Sequence, residues 1–470
     1  MAGPKNSRST DRCAEEAANP VVRALAAFFK SCLPPYSSLP VRLCVALSGG
    51  RDSVVLLHAL SRLAALMNVP VTLSALHVHH GISAHADRWA AFCTRLCEEW
   101  QLPLRVVHVE VPRNSGEGLE GAARRLRHAA FADGDADWLL LAHHRDDQAE
   151  TVLLNLLRGA GVAGAAGMLA ERAQGDGARL LRPLLGVARA DIEAYAAEYA
   201  LCWIDDESNA DVHFRRNYLR REVMPGLEEK FPGARKALAR AAGHFAEAAQ
   251  LLDELAELDC ARLAGASGRI RVSGFNTLSP ARARNLLRFV WGVAGFRAPD
   301  ARWIDEALHQ LAGVDALSEI CLATADGELH VYRDELYILA HASGQDVQPL
   351  PWSGEAELPW AGGCVRFMPV LGGGVRRSAL VGGGVALCAR QGGERLQLHS
   401  RRPRRSLRKL LQEAAVPPWE RQRLPLLWCN ERLMWVGGLG TDAAFACAPD
   451  EEGVLPVWES GMSVEKKECR

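Results

Sequence analysis

The stretch VALSGGRDSVVLLHAL, residues 45–60, runs from an apolar strand through a turn built on two glycines into a helical segment. Backbone N–H groups at Gly49 and Gly50 can approach a ligand closely because no Cβ intervenes, and the helix N-terminus that follows favours negative charge. Ser48 and Ser53 each add a hydroxyl donor. The turn therefore reads as an anion-binding loop, with phosphate as its natural guest. Its surroundings decide the fold. Arg42–Leu47, Val71–His79, Leu104–Val111 and Trp138–His143 are continuous or alternating apolar runs of strand length. Ser53–Leu66, Asp87–Glu99 and Leu119–Ala132 are helical runs between them. That order predicts an α/β fold with a doubly wound parallel sheet, whose ligands sit at the carboxyl ends of the strands.

A chain of 470 residues is long enough for several domains. The formal net charge of −1 supplies no global field for nucleic acid, so any such binding must use a local patch. None of the 13 cysteines forms a Cys-x-x-Cys pair, and Cys93 with Cys97 is a helical i,i+4 pair, so reduced thiols are expected. Val21–Phe29 is too short and too closely preceded by Asp11, Glu15 and Glu16 to serve as a signal peptide. No apolar run reaches the roughly 18 residues needed to span a membrane. A soluble, cytoplasmic protein is expected.

Beyond Phe231-Pro232-Gly233 the pattern changes. Ala234–Leu263 reads as one long helix, Ser279–Leu311 as helical, and Ile320–Ala340 as short strands. The expected layout is an N-terminal extension (1–40), the sheet domain (41–225) and a mainly helical domain (226–345). A Gly- and Pro-rich linker or β region (346–384) and a small α+β C-terminal domain (385–460) follow.

The common phosphate loop, Gly-x4-Gly-Lys-[Ser/Thr], is excluded because the chain contains no Gly-Lys pair. Gly159–Gly164 matches the dinucleotide fingerprint but follows a helical run instead of a strand, so its context fails. Asp52 is the odd member of the first loop, since a carboxylate repels phosphate unless a divalent cation bridges the two. His143, Asp146 and Asp147 at the end of another strand can hold a cation or act as general base, although aspartates at a helix N-terminus also serve its dipole. His77, His79 and His80 are either metal ligands or hydrogen-bonded structural residues. HFRRNYLRR (213–221) offers arginine forks and aromatic faces suited to nucleotides, and RRPRRSLRK (401–409) is a dense basic run. A solvated face is the plain alternative for both.

The loop SGGRDS (48–53) resembles that of the N-type ATP pyrophosphatases, the PP-loop enzymes, which cleave ATP between its α and β phosphates. LHVHHGISAHADRW (76–89), EGAARRLRHAAF (120–131) and LLAHHRDDQAETVLLNLLRGAG (140–161) narrow the resemblance, with RPLLG (182–186) and WIDDESNADVHFRRNYLRREVMPGL (203–227). Together with GGERLQLHSRRPRRSLRKLLQEAAVPPWERQRLPLLW (392–428), they resemble the tRNA(Ile)-lysidine synthetase family. His128, Ala165 and Glu207, the last before Ser208-Asn209, depart from the family pattern without removing a polar group of its motifs.

The resemblance implies a ligase with tRNA(Ile) bearing the CAU anticodon, free L-lysine and ATP as substrates, and Mg²⁺. A homodimer is left open. It assigns Ser48, Gly49, Gly50, Arg51, Asp52 and Ser53 to ATP, and Asp52 and Asp147 to the metal. Asp52, His143, Asp147 and Arg216 would be catalytic. Arg220, Arg401, Arg402, Arg404, Arg405, Arg408 and Lys409 would bind tRNA. The rival readings are a tRNA thiolase on the same loop, a metal-dependent phosphoesterase built on residues 143–147, and a non-catalytic tRNA-binding module.

Overall fold

Two runs of strands organise the chain, one parallel and one antiparallel, and they fall in separate units, Met1–Leu251 and Leu252–Arg470. The structure is a computed structural model describing residues 19–32, 40–67, 71–112, 118–132, 134–172, 178–206, 211–313, 320–341, 348–381 and 383–459. Glu207, Ser208 and Asn209 lie outside the described residues, as does most of the expected 1–40 extension.

In the first unit the elements run α1 (Pro20–Cys32), β1 (Val41–Ala46), α2 (Arg51–Met67), β2 (Val71–His79), α3 (Ala86–Glu99), β3 (Leu104–His108) and α4 (Gly118–Ala132). They continue with β4 (Trp138–Leu140), α5 (Arg145–Leu157), β5 (Glu171–Arg172), β6 (Arg179–Leu181) and α6 (Arg189–Glu198). The strand order is β3-β2-β1-β4-β6-β5; every pairing is parallel except that of the edge strand β5. Alternation along β1 explains its two buried faces. Leu43, Val45 and Leu47 enter one core with α1, α2 and α6, whereas Cys44 enters the other with Leu76, Phe131, Leu139 and Leu180. Chain order reverses between β1 and β4, which makes the crevice at their carboxyl ends the topological switch point where such sheets bind ligands.

The expected strands are present, Val71–His79 at full length and two others shorter. The runs read as Leu104–Val111 and Trp138–His143 end at His108 and Leu140, so His143 lies in the turn leaving β4. The expected boundary at residue 41 is also corrected. Val21, Leu25 and Phe29 of α1 are buried in the sheet's core, and Phe28 meets Trp138 edge to face at 5.8 Å, because an amphipathic helix there covers apolar surface.

In the second unit, the region read as one helical run, Ser279–Leu311, is two helices, Pro280–Val293 and Ala301–Ala312. Gly295 turns the chain in the left-handed region (φ 85°), and Asp300 caps the second helix by accepting from the Trp303 N–H at 2.8 Å. The long helix Ala234–Leu263 and the three-stranded antiparallel sheet β7 (Ile320–Ala323), β8 (Gly327–Tyr332) and β9 (Glu335–Ala340) match their expected positions. The described residues 348–381 of the expected linker or β region form mainly β structure. The strand Gly363–Leu371 pairs antiparallel with Glu452–Glu459, from Cys364 opposite Glu459 to Leu371 opposite Glu452. Among the described residues, no helix is long and apolar enough to cross a membrane. The described cysteines are free thiols.

Candidate active site

The glycine turn forms as its residue types require. Gly49 has φ 85°, and a Cβ there would lie 3.2 Å from both Cys93 Sγ and Ile204 Cδ1. Its carbonyl accepts from the Ile204 N–H at 2.9 Å. Ser53, buried, accepts from the Ser48 N–H (3.2 Å) and donates to the Gly50 carbonyl (2.8 Å), which leaves the Ser48 hydroxyl to donate to Ser53 Oγ (3.1 Å). The serines thus brace the loop above the first turn of α2, whose N–H groups have no intrahelical acceptor. Arg51 leaves the loop: its guanidinium pairs with Glu193 on α6 at 2.7 Å and lies over the Trp203 ring.

From β4, on the other side of the switch point, the chain turns into α5 through His143 and His144. His144 is the N-cap, and Asp147 Oδ2 accepts from its N–H at 3.1 Å. The imidazole, 2% exposed, sets Nε2 3.4 Å from Asp147 Oδ2 and 3.6 Å from Asp52 Oδ2. One buried ring therefore joins the carboxylate of the glycine loop to that of α5. Burial pulls the His144 pKa down, but the nearby carboxylates of Asp52, Asp147 and Asp146 raise it above the ordinary histidine value. The Asp147 N–H donates to His144 Nδ1 at 3.4 Å, completing the reciprocal cap. Burial likewise pushes the Asp52 carboxyl up, yet His144, Arg51 and Arg189 hold it below the usual range.

His143 is the opposite case. Burial lowers it to about 4 against the pull of Asp147, and its Nδ1 accepts from Arg182 Nε at 3.3 Å. Two adjacent histidines thus shift in opposite directions, His143 down and His144 up.

Behind Asp147, on the next turn of α5, lies Glu150, which is buried. Arg216 and Arg220 reach both acids: Arg216 at 3.2 Å to each, Arg220 at 2.8 Å to Asp147 and 2.7 Å to Glu150. Both arginines come from the helical turn Arg215–Tyr218 and the π turn Leu219–Val223 that continues it. Burial pushes the Asp147 carboxyl up, and His144, Arg216, Arg220 and His143 more than reverse it. Arg220, expected to touch tRNA, is committed here to the two carboxylates. Phe214 and Tyr218, on the same turn, are exposed.

The structure brings together Ser48, Asp52, His143, Asp147 and Arg216, and adds His144, Glu150 and Arg182, which the sequence reading did not select. The capping motif around Asp147 was the available signal for His144. Other candidates have partners of their own. Asp146 accepts from the Arg189 N–H (3.0 Å) and pairs with Arg235 (3.1 Å). His77 donates to the Leu47 carbonyl (2.8 Å), His79 pairs with Asp87 (3.0 Å), and His80 accepts from Arg127 (3.3 Å). In the basic run, Arg404 pairs with the buried Asp442 (2.9 Å) and Arg405 with Glu413 (2.8 Å). Arg401, Arg402, Arg408 and Lys409 are exposed.

A parallel sheet with a bracing serine-glycine loop and an aspartate at its switch point defines a PP-loop ATP pyrophosphatase, and the PP-loop domain family matches residues 18–227. The TilS substrate binding domain matches 271–337, and the TilS substrate C-terminal domain matches 385–458. The tRNA(Ile)-lysidine synthase of Aromatoleum aromaticum is 47% identical over 89% of this chain and 97% of its own. That of Nitrosomonas europaea is 41% identical over 89% and 92%, and that of Azoarcus sp. 43% over 90% and 93%. The chain belongs to the tRNA(Ile)-lysidine synthase family. Among solved structures, a U34-tRNA thiolase from Methanococcus maripaludis covers 48% of this chain and 78% of its own at 17% identity, with a TM-score of 0.40. A TILS C-terminal domain covers 24% and 96% at 21% identity, with a TM-score of 0.21.

Proposed function

We propose that this chain forms lysidine, joining free lysine to C2 of the wobble cytidine in the CAU anticodon of tRNA(Ile), and that the Asp52–His144–Asp147 cluster carries the chemistry. The wobble cytidine O2 attacks the α-phosphorus of ATP, and pyrophosphate leaves. The ε-amine of lysine then attacks C2, the C2–O bond to the adenylate breaks, and AMP leaves. The amine attacks uncharged, and a carboxylate of the Asp52–Asp147 pair is the base nearest to hand. The loop at 48–53 holds the leaving pyrophosphate with N–H groups that need little reorganisation. Arg216 stands where it can stabilise charge on the transferring phosphate.

The donor set fits Mg²⁺, which is usually held by one or two carboxylates and the phosphates of its substrate. Asp52 and Asp147 would hold it, and the ion neutralises phosphate charge when bound. Exposed Phe214 and Tyr218 offer stacking faces for an unpaired base. Free thiols and substrates confined to the cell interior favour the cytoplasm. The absence of a Cys-x-x-Cys pair counts against the thiolase reading.

The observation that carries this reading is the meeting of Asp52 and Asp147, from two different strand ends, on one buried histidine beside the glycine loop. The test is to incubate the purified chain with ATP, Mg²⁺, radiolabelled lysine and the CAU-anticodon transcript. Label enters the tRNA, and AMP and pyrophosphate appear in equal amounts. Release of ADP, or label that enters without ATP, overturns it.

A further inference from the structure

Far along the sequence from the nucleotide site, the sheet β7–β9 gathers a different donor set. Cys321 on β7 and His330 on β8 are cross-strand partners, and Glu328 lies two residues before His330, on the same face of β8. One ligand atom each from Cys321, Glu328 and His330 lies within 4.8 Å of the others, and no other group of three such residues does so among those described. We propose that Cys321, Glu328 and His330 form a binding site for a divalent metal ion of the zinc type.

The donor chemistry selects the class of ion. Thiolate, imidazole and carboxylate together suit Zn²⁺, whereas Mg²⁺ and Ca²⁺ take oxygen ligands. The spacing suits it as well. Zinc bonds of about 2.3 Å to sulfur and 2.0 Å to nitrogen place the two donors about 3.5 Å apart in a tetrahedron. Cys321 Sγ and His330 Nε2 are 3.8 Å apart. Glu328 Oε2 lies 2.8 Å from the same nitrogen, so the proton they share occupies the ion's place and leaves on binding, together with the thiol proton.

The surroundings fix two of the three ligands. Glu328 is held through its other oxygen by His341 Nδ1 at 3.1 Å, and His341 Nε2 is anchored on the Thr324 carbonyl at 2.7 Å. The His330 ring stacks on Trp419, with centroids 4.4 Å apart. A hydrogen-bonded Glu–His pair would need neither this order nor the thiol. Bound metal would clip β7 to β8.

The site is tested on the full chain, stripped with chelator and titrated with Co²⁺ as a spectroscopic stand-in for Zn²⁺. Wild type gains a sulfur-to-cobalt charge-transfer band that saturates at one equivalent and is erased by Zn²⁺. Cys321→Ser and Glu328→Gln are run beside it, so that bands from other thiols cancel in the difference. One equivalent of Zn²⁺ raises the Tm of wild type but not of Cys321→Ser. The metal-free Tm values of those two agree, because the exposed Cys321 packs against no core. A cobalt difference spectrum indistinguishable from zero, or equal Zn²⁺ shifts in wild type and Cys321→Ser, overturns the proposal.

Discussion

A single ring, His144, decides how the two functional aspartates behave. Its imidazole helps hold the carboxyls of Asp52 and Asp147 below their usual range in a buried setting, so it acts on the chemistry through them and is a positioning residue. Asn is a good N-cap but cannot take up a proton, so His144→Asn keeps the helix start and removes the titratable ring. Turnover should fall about 10–100-fold, the range for partners that orient metal-binding groups. The sign of the pH effect follows: without the imidazole that lowers them, the carboxyl pKa values rise, and the acid limb of the kcat/KM profile moves to higher pH. An unchanged profile would leave His144 a cap and nothing more. Asp52→Asn and Asp147→Ala should each lower kcat by orders of magnitude with little loss of tRNA affinity, since a group used in the transition state reports in kcat. Near-normal turnover by Asp147→Ala would return that residue to helix capping. Asp147→Ala should also lose stability, because Arg216 and Arg220 share Asp147 with Glu150 and one acid would remain for two guanidinium groups. Composition and spacing made Ser48–Ser53, His143 and Asp147 legible in the sequence. They did not make legible which of two adjacent histidines faces the carboxylates. That depends on the extended backbone of the N-cap (φ −123°, ψ 179°), which turns neighbouring side chains apart.

Long elements declared themselves and short ones did not. The helix Ala234–Leu263 and the strand Val71–His79 span enough residues for a period to show, and both stand where their patterns put them. β5 and β6 have two and three residues, too few for any period, so the sheet's far edge was invisible in the chain. For the strand Gly363–Leu371 the glycines and prolines on either side allow a linker as well as a β region, and its partner lies some 90 residues away in sequence. The apolar face of α1 is too short to announce a domain element in the sequence, yet it covers the sheet's core. Leu25 is fully buried in the sheet's core, so Leu25→Ala should cost about 2–5 kcal/mol. For a unit of this size that lowers Tm by about 2–4 °C per kcal/mol. Calorimetry on the full chain checks it. A Tm within a degree of wild type would restore residues 20–32 to the status of an extension.

At the scale of the whole chain, charge is nearly balanced, so a polyanion must find a local patch. The run at 401–409 is the densest basic stretch, and the structure divides it. Arg404 and Arg405 hold Asp442 and Glu413, and Arg404 satisfies an acid buried in the fold. Removing them would disturb the unit itself. Arg401, Arg402, Arg408 and Lys409 are exposed, and among the described residues none of them is in an ion pair. Replacing these four with Ser should raise KM for full-length tRNA while leaving Tm unchanged. Every phosphate that the variant no longer neutralises should flatten the salt dependence of binding by a slope of about 0.7–0.9. ATP binding should not change, because the loop at 48–53 belongs to the other unit. An anticodon stem-loop too short to reach the patch should be modified equally well by both proteins, which separates grip on the tRNA body from the chemistry. If tRNA affinity and salt slope are the same in variant and wild type, the four cations are a solvated face and the RNA is held elsewhere.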